Sequence, residues 1–151
     1  MKIYFVNIDR WILPERVPQL IIRQGHQVAG NWREFNQQSL EQFVPDLIVY
    51  SPHRRETALT LPLDLVKKVP TVLWALCPDY LTGWDREKNQ HMDGFLDSVR
   101  EMLPYFRVNL ANSVFTKELL EARAPGYTFE VCYLGIDTQG IDEATVGKRR
   151  G

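Results

Sequence analysis

The strongest constraint on this chain is the regular alternation of short apolar runs with stretches of helical periodicity. Lys2 to Ile8, His26 to Asn31, Leu47 to Tyr50, Thr71 to Leu76, the run holding Val108, Leu110 and Ala111, and Phe129 to Leu134 read as strands. Between them the spacing predicts helices. One is opened by Pro14 and ended by Gly25, with Val17, Leu20 and Ile21 on its inner face, and a short one spans about Gln38 to Phe43. A helical stretch from His53 to Lys68 is interrupted at Pro62, and a long helix runs from about Glu87 to Leu103, with Phe95, Leu96, Val99 and Leu103 inward. The last starts at Ser113 and stops at Pro125-Gly126. Strand and helix in strict alternation predict a parallel sheet with helices on both faces, an α/β class. About six strands joined by right-handed crossovers predict a Rossmann-like, doubly wound order of 3-2-1-4-5-6.

A chain of 151 residues suits one domain and can bury a sizeable core. Its net charge of -1 creates no field that would draw it to nucleic acid. Arg54-Arg55, Lys67-Lys68 and Lys148-Arg149-Arg150 read as solvated surface, the first two alternatively as facing a membrane or an anionic acceptor. Cys77 and Cys132 fit free thiols in a reducing compartment better than a disulfide. His26, His53 and His91 are far apart and lack a cysteine at ligand spacing, so neither a metal site nor a cofactor is expected. No apolar run approaches the roughly 18 residues of a membrane span, and the chain opens on a strand. A cytoplasmic protein is expected, with any membrane contact peripheral and a homodimer open.

Several phosphate and acyl-transfer chemistries lack their motifs. The loop after the first strand, Asn7 to Pro14, holds no glycine, so G-x-G-x-x-G is missing; so are a P-loop and the G-x-S-x-G elbow. A phosphoacceptor domain would need an Asp at the end of the third strand, where Ser51-Pro52 stands. What remains is a set of polar residues at the carboxyl ends of strands: Asp9 and Arg10, Ser51 and His53, Asp79 and Tyr80, Asn112 and Ser113. Doubly wound sheets gather such residues at one edge. Asp79 could orient a hydroxyl or take a proton, or it could simply brace its loop through backbone N–H groups. Trp11, Tyr80 and Trp84 could stack on the apolar face of a sugar or aglycone, or close the core beneath the loops. His91, early on its expected helix, is either an acceptor-site residue or surface, and His26 reads as structural. Asn112-Ser113, between a strand and a helix, is either a ligand-facing pair or a helix cap.

The wording of two segments adds to this. Ala111-Asn112-Ser113-Val114-Phe115-Thr116-Lys117, followed by Tyr133-Leu134-Gly135-Ile136-Asp137, resembles the end of the N-terminal domain in GT-B fold glycosyltransferases, most of all the family 4 (group 1) type. Gly25-His26-Gln27-Val28 is similar to the entry to the second strand in the same enzymes. The resemblance implies an acceptor-binding Rossmann-like domain over residues 1–137, with 138–151 a linker or tail towards a C-terminal donor domain. That missing domain, or a partner subunit, would hold the nucleoside-diphosphate sugar. The resemblance bears on Asp79 as the catalytic carboxylate, and the strand-end residues Asp9, Arg10, Trp11, Tyr80, Trp84, His91, Asn112 and Ser113 are then expected to line the acceptor site. The chain departs from the family in two places. Cys77-Pro78 precedes Asp79 where a His is usual, and Asp9-Arg10-Trp11 replaces a glycine-rich loop. The chain alone is expected to be inactive. A stand-alone ligand- or partner-binding module, or one subunit of a split transferase, are the alternatives.

Overall fold

Lys2–Val6 (β1) is apolar on both faces, as a strand flanked on each side by others must be, and Ile3 to Val6 are all buried. The computed structural model describes residues 1–6, 16–31, 37–51, 61–75, 84–85, 90–91 and 99–133. In these, β1 pairs in parallel with Gln27–Asn31 (β2) on one side and Leu47–Tyr50 (β3) on the other. Thr71–Ala75 (β4) follows β3. Trp84–Asp85 (β5) and Gln90–His91 (β6) form a separate antiparallel ribbon. Val108–Ala111 (β7) and Glu130–Val131 (β8) complete a six-stranded parallel sheet in the order β2-β1-β3-β4-β7-β8. The α/β, Rossmann-like class is as the alternation of the sequence predicts.

The strand order is not. Counting only the six strands of this sheet in chain order, the arrangement is 2-1-3-4-5-6 rather than the expected 3-2-1-4-5-6. After β2 the chain crosses back over β1 and lays β3 on its far side. Periodicity specifies that a segment is a strand, but not which free edge of a growing sheet it joins. The long helix from Glu87 also needs correction. Gln90 and His91 are strand, with His91 paired to Trp84, and helix is described only at Val99 and Arg100 before the tight turn Leu103–Tyr105. Gln90 is a good helix former, but its pairing with Asp85 in the ribbon overrides that propensity.

The helices among the described residues are Arg16–Arg23 (α1), Gln37–Phe43 (α2), Leu63–Lys68 (α3) and Val114–Arg123 (α4). Gly25, at φ +83°, ends the turn after α1, and Pro62 precedes α3 at its N-cap. Val17 and Ile21 of α1 pack on the face of the sheet that presents Ile3, Phe5 and Trp74. Leu40, Val66 and Leu120, from α2, α3 and α4, join the cluster on the opposite face with Tyr4, Val6, Ile48, Tyr50 and Leu73. Strand order explains the split. The β1-to-β2 crossover runs one way and the later ones in this sheet run the other, so crossovers of one hand put α1 on the face opposite α2, α3 and α4. Each of Tyr4, Phe5, Ile48 and Leu73 is essentially inaccessible, and such burial stabilises by about 1.5–3 kcal/mol per large apolar side chain.

Gly30 of β2 lies opposite Phe5 of β1, and a Cβ placed there would sit 2.6 Å from the Phe5 carbonyl oxygen. Val44, just past α2, is held at φ 50°, a conformation that β-branched residues adopt at a cost.

Candidate functional site

The parallel strands deliver their carboxyl ends to one edge, and the best-defined part of that edge is the turn from β7 into α4. Ser113 is extended (φ -159°, ψ 164°) and its Oγ accepts the Thr116 N–H at 3.1 Å. That is N-cap chemistry, as the sequence predicts. The Ser113 hydroxyl in turn donates to Thr116 Oγ1 at 3.0 Å, and Thr116 Oγ1 donates to Asn112 Oδ1 at 2.7 Å. Thr116 is buried while Asn112 and Ser113 are half-buried, so the network reaches from the surface into the interior. The cap reading of Ser113 therefore holds: its one proton and one of its lone pairs are used to start α4. Asn112 is oriented by the same network, with its carbonyl oxygen turned to Thr116. Sequence reasoning missed Thr116, although a hydroxyl three residues after an N-cap serine is the signal that could have found it.

β8 meets this turn from the side. Cys132 N–H donates to the Ala111 carbonyl at 2.8 Å, which extends the β7–β8 ladder past its last paired residues. Glu121 of α4 fixes the return, accepting the Phe129 N–H at 2.9 Å. The segments that leave β7 at Asn112 and β8 at Tyr133 thus start side by side. Around them Phe115 (69%), Tyr133 (68%) and Val114 (48%) are exposed, an apolar rim beside the Asn112-Ser113 turn.

The second defined point is the end of β3. Ser51 N–H donates to the Val6 carbonyl at 3.0 Å, so the ends of β1 and β3 are joined there. Ser51 is wholly buried and its Oγ has no hydrogen-bond partner. Next to it, burial pushes the Tyr50 hydroxyl well above the ordinary phenol range, which keeps it neutral.

Asp79, Asp9, Arg10, Trp11 and Tyr80 lie outside the described residues, as does Cys77. Trp84 and His91 are brought together as directly paired backbone positions of the β5–β6 ribbon, and only their backbone is described. Asn112 and Ser113 are adjacent at the β7 end. Among the described residues no group of three His, Cys, Asp or Glu side chains could hold a metal ion. No helix among them is long and apolar enough to cross a membrane. No protein-family model matches the chain, and no curated protein matches it either.

Proposed function

We propose that this chain is the acceptor-binding domain of a GT-B type glycosyltransferase, working with a second domain or a partner subunit that holds the nucleoside-diphosphate sugar. One observation carries the reading. The described parts of the two segments that resemble the family, 111–117 and Tyr133, stand at the ends of the neighbouring parallel strands β7 and β8, linked by the Cys132–Ala111 hydrogen bond, while 134–137 lie outside the described residues. The β7-α4-β8 unit sets these two strand ends side by side, which supports a shared site there. The exposed rim of Val114, Phe115 and Tyr133 suits a surface that another domain closes upon. In this reading Asp79 is the carboxylate of the site, and Asp9, Arg10, Trp11, Tyr80, Trp84 and His91 contact the acceptor.

A panel of nucleoside-diphosphate sugars and acceptors, with products followed by mass spectrometry, tests it. Transfer is expected only when the donor-binding partner is supplied; robust transfer by residues 1–151 alone overturns the division of labour. A non-catalytic ligand- or partner-binding module is the second reading. The cap network favours it, because the Ser113 hydroxyl is spent within the protein rather than on a ligand. Absence of transfer in the presence of every donor-binding partner encoded beside this gene would select it.

A further inference from the structure

The six-stranded sheet is parallel, so the segments that enter its strands meet at the amino-terminal edge, opposite the edge of the candidate site. Three apolar side chains are exposed there: Met1 (56%) before β1, Val44 (66%) before β3 and Tyr105 (43%) before β7. Backbone hydrogen bonds fix all three entries. The Met1 carbonyl accepts from Gln27 at 3.0 Å, Asp46 N–H donates to the Lys2 carbonyl at 2.9 Å, and Arg107 N–H donates to the Thr71 carbonyl at 2.8 Å. Val44 presents its side chain at φ 50°, a conformation unfavourable for a β-branched residue, with little burial to offset it.

Cations stand among these tips. Lys67 Nζ lies 4.9 Å from the centroid of the Tyr105 ring, Lys68 follows it at the end of α3, and Arg107 lies two residues after Tyr105. All three are exposed, and none forms an ion pair with a described residue. Of the nearby acids, Asp46 is bonded to the Lys2 backbone N–H, Asp64 lies in the first turn of α3, and Glu101 adjoins Arg100. The edge is thus positive although the chain carries a net charge of -1. Met1 and Tyr105 precede strands three spacings apart in the sheet, about 14 Å. Apolar tips spread this far, with cations between them, do not make the contiguous apolar centre of a protein interface. They fit a surface without relief, where each tip enters an apolar layer while the cations meet headgroup phosphates. Tyrosine, apolar in its ring and polar at its tip, suits that boundary.

We propose that the amino-terminal edge of the sheet docks on an anionic lipid bilayer, with Lys67, Lys68 and Arg107 at the headgroups and Met1, Val44 and Tyr105 dipping between them. Docking in this orientation turns the carboxyl edge away from the bilayer. It does not rest on sugar transfer, so a protein without transferase activity would still bind.

Co-sedimentation with vesicles of phosphatidylcholine, with and without phosphatidylserine, tests the proposal. Binding is expected only to the phosphatidylserine vesicles and should weaken as salt rises. Each of Lys67→Gln, Lys68→Gln and Arg107→Gln should weaken it about fivefold, the equivalent of about 1 kcal/mol per cation near an anionic surface. Val44→Ser and Tyr105→Ser should also lower it, without changing its dependence on salt. All five positions are exposed, so these variants are expected to fold as the parent does. Polyglutamate stands in for an acidic protein. Binding to it as tight as to the vesicles, and unchanged by Val44→Ser and Tyr105→Ser, would assign the edge to such a partner and overturn the bilayer. Equal binding by the triple cation variant would overturn it too, as would no more binding to phosphatidylserine vesicles than to phosphatidylcholine alone.

Discussion

The Thr116 hydroxyl donates to the side-chain carbonyl of Asn112 at 2.7 Å, and through it the first turn of α4 is locked to the last residue before the cap. The same oxygen accepts from Ser113. Removing it takes away the Thr116 donor to Asn112 Oδ1 and the acceptor of the Ser113 proton. Thr116→Val should therefore destabilise the protein by about 1 kcal/mol, the net worth of hydrogen bonds between part-buried groups. Ser113→Ala should cost about 1 kcal/mol through the lost cap. Urea unfolding of both singles and the double variant checks this: the network predicts that the two losses do not add. Simple additivity would mean that the three side chains act separately.

Gly30 faces Phe5 so closely that no side chain fits. With a Cβ 2.6 Å from a backbone oxygen, Gly30→Ala must push β2 off β1, at a cost of about 1–3 kcal/mol. A urea midpoint unchanged by Gly30→Ala would show that β2 can shift freely.

Val44 offers the opposite effect. It is two-thirds exposed and held at φ 50°, so its side chain contributes little while its backbone conformation is unfavourable. Val44→Gly should raise stability by about 1 kcal/mol. Thermal unfolding that shows a loss instead would mean that the side chain is needed.

Tyr50 links stability to alkaline pH. Its hydroxyl stays protonated in the folded state because burial opposes the phenolate, whereas in the unfolded chain it titrates near the ordinary value of about 10. The unfolded state therefore loses its proton first, and this contribution to stability is complete below about pH 10 and falls away above it. Thermal midpoints measured from pH 8 to 11 should fall over the upper part of that range, and less steeply in Tyr50→Phe. Parallel curves for the two proteins would exclude Tyr50 as the source.

The apolar rim should matter to association and not to folding. Phe115→Ser and Tyr133→Ser remove exposed surface, so each should change stability by less than about 0.5 kcal/mol. Both should lower the binding of an apolar fluorescent dye and weaken capture of the donor-binding partner. Unaltered dye binding would remove the rim from the interface.

Much of this architecture is legible in the residues themselves. Ile3 to Val6, Leu47 to Tyr50 and Thr71 to Ala75 declare buried parallel strands because nothing polar interrupts them. Ser113 announces the start of α4, and Gly25 and Pro62 mark helix boundaries where their backbone preferences demand it. The edge that β3 joins, that of β1 rather than that of β2, is a tertiary choice that the periodicity of β3 itself does not encode. Nor does it reveal the β5–β6 ribbon, whose two-residue strands are too short for any period to emerge. At the candidate site, the cap was readable from Ser113, but the role of Thr116 and the isolation of the Ser51 hydroxyl depend on three-dimensional neighbours.

Because β1 is flanked by the two strands that follow it, its lateral hydrogen bonding is complete once the ribosome has made Tyr50. From there each further described strand of this sheet joins the same side, β4 on β3, β7 on β4 and β8 on β7. The order of synthesis is thus an order of assembly among these strands, and β8 pairs with β7 alone. Nascent chains stalled at successive lengths should gain protease resistance from the amino terminus outward.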